Sequence, residues 1–206
     1  YAIARALAER PEVRAIIAPV DYEGPDPRIE RSTGRKAAAT AIEWGIEQVK
    51  ADQAWRRGVR GDGIVIANID SGVQFDHPAL VDSYRGNNGD GTFTHDYNWL
   101  DTRTSGKSPY PVDLDGHGTH TMGTMVGDDR AGNRIGVAPG ATWIAANGCC
   151  ASDQTLIDSA QWMLAPTTVA GTNPRPDLRP DIVNNSWGTR TPSNDPFMED
   201  ILRAWA

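Results

Sequence analysis

A nearly continuous apolar run occupies residues 63–72 and ends in an acidic residue and a turn. Its letters are Gly-Ile-Val-Ile-Ala-Asn-Ile-Asp-Ser-Gly, and a run with so little polar alternation is typical of a strand buried in a parallel sheet. Asp70 stands at the carboxyl end of this predicted strand, which is the edge where open α/β sheets place their active sites. An aspartate there can also be only a turn former.

A second pattern, at residues 113–127, predicts a helix entered through a histidine. Glycines flank His117, small and apolar residues follow it, and Gly127 with two aspartates stops the pattern. Because the segment is poor in large polar side chains, we expect a buried helix with the His117 ring at the edge of a cavity. The flanking glycines leave room beside the ring for another chain or a substrate.

The remaining periodic segments alternate between helix and strand. Residues 1–10 predict a helix ended by Pro11, residues 13–20 a strand, and residues 41–58 an arm with a short helix. A strand is predicted over 141–146, a helix capped by Ser152 or Asp153 follows it, a further strand covers 181–186, and a last helix begins at 197. This order predicts an α/β fold with a mostly parallel central sheet.

Composition narrows the choice of partners only a little. The chain has 206 residues and a formal net charge of −7, which argues against a nucleic-acid partner. No apolar stretch is long enough to span a membrane. Cys149 and Cys150 are adjacent and cannot join distant segments, so we expect two free thiols. The chain begins at Tyr1 rather than Met, and we expect it to be a fragment truncated at both ends.

Asp70 and His117 are the first candidates for catalytic chemistry. A carboxylate beside an imidazole can hold its tautomer and stabilise its charged form. A lone histidine is more often structural, and that alternative stays open. A metal site on His117 and His120 is weaker, because helical zinc sites space their histidines by four with Glu after the first, and Gly118 occupies that place.

Several short motifs, in their order along the chain, resemble those of the subtilisin-like serine proteases, the subtilases. Residues 69–73 (Ile-Asp-Ser-Gly-Val) resemble the aspartate motif, and residues 116–120 (Gly-His-Gly-Thr-His) resemble the histidine motif. Asp precedes His, as in subtilisin. Further matches lie at 77–80 (His-Pro-Ala-Leu), 136–141 (Gly-Val-Ala-Pro-Gly-Ala) and 184–188 (Asn-Asn-Ser-Trp-Gly). The resemblance covers residues 42–206 and is strongest to the bacillopeptidase F branch.

The resemblance implies a subtilisin-like three-layer fold, incomplete at its C-terminal side, and a serine endopeptidase with an Asp-His-Ser triad. Asp70 and His117 match two members of the triad. No serine lies in the context of the family nucleophile, and the oxyanion asparagine motif is absent, so we expect both beyond the chain end and the chain alone to be inactive. The resemblance assigns substrate binding to five residues: Ser186, Trp187, Gly188, Asn147 and Gly148.

The resemblance also divides the chain. Residues 1–22 resemble the end of an inhibitory propeptide, residues 23–41 a linker processed between Arg31 and Ala41, and residues 42–206 the N-terminal portion of the catalytic domain. It implies a secreted or cell-surface protein that acts on proteins or peptides and needs no cofactor for its chemistry. Subtilases often bind structural calcium, but the run at 87–91 lacks EF-hand spacing and is more simply a solvated loop.

Two other classes of function stay open from the sequence. A subtilase-like module could bind peptides in an intact cleft without cutting them. A metal-dependent hydrolase could use His117, His120 and a nearby aspartate. The presence or absence of a nucleophilic serine distinguishes the first of these from an endopeptidase.

Overall fold

The computed structural model describes residues 2–18, 21–23, 42–189 and 196–206. Its helices are α1 (Ala2–Ala8), α2 (Trp44–Gln48), α3 (Ala51–Trp55), α4 (His117–Val126), α5 (Asp153–Leu164) and α6 (Glu199–Trp205). The strands are β1 (Val65–Asp70), β2 (Trp99–Asp101), β3 (Thr142–Asn147) and β4 (Ile182–Asn185). In the described ranges the four strands form one parallel sheet in the order β2-β3-β1-β4. The predicted α/β architecture with a parallel central sheet is confirmed.

β1 is buried from both sides of the sheet. On one face Ile66 belongs to a core that includes Met122 and Val126 of α4. On the other face Ala67 and Ile69 pack into a second core with residues of α5. Because side chains of a strand alternate between its two faces, a strand covered on both must be apolar nearly throughout. Helices on the two faces and the sheet between them make the three layers.

α4 begins at His117 and is capped by Gly127, as predicted, but it is not buried all round. Met122 and Val126 are buried against the sheet, whereas His120 and Thr124 are exposed. The expectation of a fully buried helix was wrong for its outer face, because only one side of α4 contacts the rest of the protein. The predicted cap of α5 is confirmed: Ser152 accepts a hydrogen bond from the Thr155 N–H in a capping box.

The N-terminal region differs from prediction in two places. α1 forms, but residues 13–18 are mostly exposed and are not part of a strand, and none of the described strands pairs with them; positions 19 and 20 of the predicted strand lie outside the described residues. The single short helix expected within 41–58 is two helices, α2 and α3, separated by Lys50 in a left-handed conformation (φ 61). Residues 24–41, with the predicted processing site between Arg31 and Ala41, lie outside the described residues.

Cys149 and Cys150 form a disulfide with each other, so the expectation of two free thiols is wrong. The peptide bond between them is cis, and their Cα atoms lie 3.0 Å apart.

The described helices include none that is both long and apolar enough to cross a membrane.

Candidate active site

The carboxyl end of β1 and the amino end of α4 lie directly against each other. Gly72, just after β1, forms an antiparallel bridge with Asp113, just before α4. A Cβ atom on Gly118 would lie 2.0 Å from the Gly72 carbonyl oxygen and 3.1 Å from the Cβ of Asp70. The helix can approach this closely only because position 118 has no side chain. This approach places Asp70 beside His117.

A short hydrogen bond joins Asp70 and His117. Nδ1 of His117 lies 2.7 Å from Oδ1 of Asp70, and their side chains are only 3% and 13% exposed. A carboxylate only accepts, so the proton of the neutral imidazole lies on Nδ1 and leaves a lone pair on Nε2. No second hydrogen bond to the ring is found within the described residues. The arrangement suits Nε2 to accept a proton from a nucleophile.

Two further donors hold the Asp70 carboxylate. The backbone N–H of Ser71 donates to Oδ1 at 2.7 Å, and the Thr121 hydroxyl lies 3.2 Å from Oδ2. The carboxylate is thus held by its own strand end, by the first residue of α4 and by the second turn of α4. Its orientation is determined by contacts from two elements rather than by one side chain.

Asp113 organises the first turn of α4. Its Oδ1 accepts from the Ser71 hydroxyl at 2.9 Å and from the Gly116 N–H at 2.9 Å. Its Oδ2 accepts from the N–H and the hydroxyl of Thr119, at 2.8 and 2.6 Å. Burial alone would raise the pKa of Asp113, but the hydrogen bonds from Thr119, Gly116 and Ser71 outweigh it and hold the pKa below its usual range. Asp113 therefore joins α4 to the turn after β1 as a charged group.

A segment from the N-terminal region lies against the predicted peptide-binding wall, residues 186–188. Glu23 and Gly188 exchange both backbone hydrogen bonds, at 2.8 and 3.0 Å. The Tyr22 ring packs edge-on against Trp187, with ring centroids 5.4 Å apart, and lies 5.6 Å from the ring of Phe197. The backbone contact is one antiparallel bridge, three residues beyond the end of β4.

Next to Tyr22 the surface encloses a pocket of about 430 Å³. Its lining includes Asp21 and Tyr22, together with Cys150 and Ser152, which precede α5, and Ile157 of α5. Tyr22 thus contacts Trp187 of the wall and also lines this pocket.

Asn147 is the last residue of β3 and Gly148 follows it, so both lie on the side of β1 away from β4. The Asn147 carbonyl accepts from the N–H and the hydroxyl of Thr102, at 3.1 and 2.8 Å. The Gly148 N–H donates to the Asp70 carbonyl at 3.0 Å, and the Gly148 carbonyl accepts from the Thr155 hydroxyl at 2.9 Å. These groups are satisfied within the protein, so the pair fastens β3 to the end of β1 and to the start of α5.

The described residues bring together no group of three or more His, Cys, Asp or Glu side chains that could hold a metal ion. His120 is exposed on α4 and does not join His117. In the 87–91 loop, the Asn87 side-chain oxygen accepts from the Gly89 N–H, and Asp90 accepts from the N–H and hydroxyl of Thr92. These bonds hold the turns of the loop.

Sequence reasoning did not single out several polar residues that the structure brings to the site. Asn68 carried a signal, since it is a polar residue inside the apolar run, and a buried amide needs partners. The sequence signal at Asp113 was weaker, because it is only an acidic residue close to the start of a predicted helix. Tyr22 and Glu23 carried none, because their partners lie at the other end of the chain.

The parallel sheet carries an aspartate at the end of β1 and a histidine at the start of α4, as the subtilase motifs in the sequence predict. Residues 61–204 match the Subtilase family, which is more than half of the chain. The chain belongs to the subtilase family.

Particular relatives narrow this further. Bacillopeptidase F of Bacillus subtilis (strain 168) is 42% identical over 174 residues, which is 82% of this chain and 12% of that protein. The Major intracellular serine protease of the same organism is 29% identical over 159 residues, 77% of this chain and 44% of that protein. The Minor extracellular protease Vpr of Bacillus subtilis (strain 168) is 30% identical over 135 residues, which is 65% of this chain and 16% of that protein. The resemblance to the bacillopeptidase F branch is confirmed, and the chain spans less than half the length of these relatives.

Proposed function

We propose that this chain supplies the carboxylate and the base of a serine endopeptidase. The observation that supports this most directly is the 2.7 Å hydrogen bond between Nδ1 of His117 and Oδ1 of Asp70, in a chain that belongs to a family of serine proteases. In this proposal the nucleophilic serine and the oxyanion donor come from residues outside these 206, and the chain alone is inactive. The relatives leave room for them, since the chain spans 12% of Bacillopeptidase F.

In the proposed reaction, Nε2 of His117 takes the proton of the serine hydroxyl as the serine oxygen attacks the peptide carbonyl carbon. The imidazolium gives that proton to the leaving amine as the C–N bond breaks. A water molecule then gives a proton to Nε2 as its oxygen attacks the acyl carbon, and the imidazolium passes that proton to the serine oxygen as the bond between the serine oxygen and the acyl carbon breaks. Asp70 keeps the Nδ1 proton in place and offsets the positive charge of the ring. These steps need no cofactor.

Protein or peptide substrates would bind along residues 186–188 by adding a strand. Gly188 offers an N–H and a carbonyl in the geometry that Glu23 uses, and Trp187 offers an aromatic surface. Because backbone hydrogen bonds carry such binding, it accepts many side-chain sequences.

We also propose that residues 1–22 are the end of an inhibitory propeptide and that residues 23–41 link it to the catalytic part at 42–206. The support is the position of Tyr22 and Glu23, which occupy the wall where a substrate would lie. Processing between Arg31 and Ala41 would free this wall.

A second candidate is a subtilase-like module that binds peptides without cutting them. The observation that favours it is that the wall already holds an extended segment, Tyr22 and Glu23, by backbone hydrogen bonds and ring packing. One experiment separates the endopeptidase from the binding module.

That experiment uses the product of the complete gene and a fluorophosphonate probe, which labels only an activated serine. We expect labelling and peptide cleavage in the parent protein, no cleavage in His117→Ala, and a loss in kcat of roughly 10⁴-fold in Asp70→Asn. His120→Ala is the matched control, because His120 is exposed on the same helix. A parent protein that binds peptides but is neither labelled nor active is the binding module.

The position of the N-terminal segment has its own test. Tyr22→Ala removes the ring that packs on Trp187 and Phe197, so the amide protons of Glu23 and Gly188 should exchange with solvent about tenfold faster, the loss expected for one partly buried aromatic contact. Hydrogen exchange read by NMR measures both amides. Ile16→Ala, at an exposed position, is the control. Unchanged exchange rates in Tyr22→Ala would refute the proposal that this segment is held against residues 186–188.

We propose a secreted or cell-surface location. The support is the name of one relative, Minor extracellular protease Vpr, whereas another relative is named an intracellular serine protease. Finding the protein in the cell lysate and not in the medium or on the cell surface would contradict the proposal.

A further inference from the structure

A buried amide lies in the middle of β1. Asn68 is 0% exposed, between apolar strand neighbours. Removing an amide from water is unfavourable unless it finds hydrogen-bond partners, so its hydrogen bonds are the reason it can be there. Its Oδ1 accepts from Nδ2 of Asn184 at 2.8 Å. Its Nδ2 donates to Thr121 Oγ1 at 2.9 Å and to the Gly118 carbonyl at 3.2 Å.

The neighbours determine which way this amide points. The Gly118 carbonyl can only accept, so the nitrogen of the Asn68 amide must face it. The oxygen then faces Asn184, whose Nδ2 donates both to Asn68 and to the Ser186 hydroxyl, each at 2.8 Å. Asn68 and Asn184 are register partners in β1 and β4, so their side chains lie on the same face of the sheet. The hydrogen bonds therefore lead from the peptide-binding wall into the core.

The other end of this series of bonds is Asp70. The Thr121 hydroxyl accepts from Asn68, which leaves its single hydrogen for one acceptor. That acceptor is either Oδ2 of Asp70 at 3.2 Å or the Gly118 carbonyl at 3.1 Å. A charged carboxylate is the stronger acceptor of the two, and Gly118 already accepts from Asn68. The other oxygen of the same carboxylate holds His117.

We propose that Asn184, Asn68 and Thr121 form a positioning relay between the peptide-binding wall and the Asp70–His117 pair. The relay turns the Thr121 hydroxyl toward Asp70 and so orients the carboxylate that holds the imidazole, while Asn184 holds Ser186 at the start of the wall. None of the three touches the reacting atoms, so they are positioning residues. The inference rests on the proton-transfer role proposed for Asp70 and His117.

The first test needs no proteolysis and uses the 206-residue chain. The Nδ1 proton of His117, bonded to Asp70, is followed by proton NMR in Thr121→Val, Asn68→Leu and Asn184→Leu, with urea unfolding to confirm that each variant is folded. We expect Thr121→Val and Asn68→Leu to move this resonance in the same direction and Asn184→Leu to move it less. Thr121→Ser, which keeps the hydroxyl, should restore the parent signal and keeps the test decisive if Asn68→Leu does not fold.

Thr124→Val is the matched control. Thr124 lies on the same helix, is exposed, and its hydroxyl bonds only to the His120 carbonyl among the described groups. The His117 Nδ1 proton resonance should not move in this variant. A resonance that moves in Thr121→Val but not in a folded Asn68→Leu would overturn the relay, and so would one that moves in none of the variants.

The second test measures kinetics in the product of the complete gene. Thr121→Val and Asn68→Leu should each lower kcat about tenfold with little change in KM, the factor for one hydrogen bond to a charged group. The double variant should lose no more than the larger single loss, since residues in one network are not additive. Additive losses would overturn the relay. A parent protein without activity refutes the proposed function instead, and the NMR result still decides the relay.

Discussion

Asp113 shows at the scale of one residue how a side chain far from the reacting atoms supports the site. Its carboxylate accepts hydrogen bonds from Ser71, after β1, and from Gly116 and Thr119, at the start of α4. These bonds hold the pKa of Asp113 below its usual range against the opposing effect of burial. The charged carboxylate thereby adds stability that depends on pH.

Asp113→Asn should lower the free energy of unfolding by about 2 kcal/mol at pH 7, because the amide turns N–H groups toward donors that need an acceptor. The pKa is lower in the folded protein, so this stabilisation is complete above the ordinary aspartate value of about 3.9 and is lost as the pH falls through the folded pKa. Urea unfolding at a series of pH values should show the difference between parent and variant shrinking toward acid. Asp115→Asn, at an exposed position, is the control, and a difference that is constant with pH would contradict the account.

At the scale of elements, the site depends on how closely α4 approaches the end of β1. Two glycines of α4 have opposite surroundings. A Cβ at Gly118 would lie 2.0 Å from the Gly72 carbonyl oxygen, whereas a Cβ at Gly123 meets nothing within 4 Å. The first glycine is needed for the approach of two elements, and the second is only a weak helix former.

Gly118→Ala should lower stability by about 3 kcal/mol or more, since a backbone carbonyl cannot move aside as a side chain can. It should also lengthen the bond between Asp70 and His117. Gly123→Ala should raise stability by up to about 1 kcal/mol, because alanine favours the helix. Thermal unfolding of the two variants measures both effects. Equal effects of the two changes would show that the close approach of α4 to β1 is not what position 118 requires.

At the scale of the whole molecule, half-buried side chains join segments that lie far apart in the sequence. Arg85 reaches three groups: Nε lies 2.6 Å from the Asn98 side-chain oxygen, Nη2 2.5 Å from the Tyr97 carbonyl and Nη1 2.9 Å from the Leu178 carbonyl. It ties the loop before β2 to the loop before β4. Burial lowers the pKa of Arg85, but the guanidinium is charged at any ordinary pH.

Arg85→Met should lower the free energy of unfolding by about 3 kcal/mol, because it leaves acceptors on both loops without a donor. Arg85→Lys should recover only part of the loss, since an ammonium cannot reproduce the planar fork. Arg57→Met, at an exposed position, is the control. Urea unfolding measures all three, and a full recovery by lysine would show that charge rather than the fork matters here.

The sequence by itself determined the elements whose pattern is local. β1, α4 and α5 follow from runs and periods of a few residues, and the histidine and aspartate motifs sufficed to name Asp70 and His117 as candidates. A buried strand and a capped helix need no knowledge of distant residues, because burial and capping leave their mark on neighbouring positions.

Only the tertiary structure decided the contacts between distant positions. It laid Tyr22 and Glu23 on the 186–188 wall and connected Asn184 through Asn68 and Thr121 to Asp70. The physical reason is that a hydrogen bond or a ring contact depends on distances of a few ångströms between groups remote along the chain. No local period of hydrophobic and polar residues records those distances.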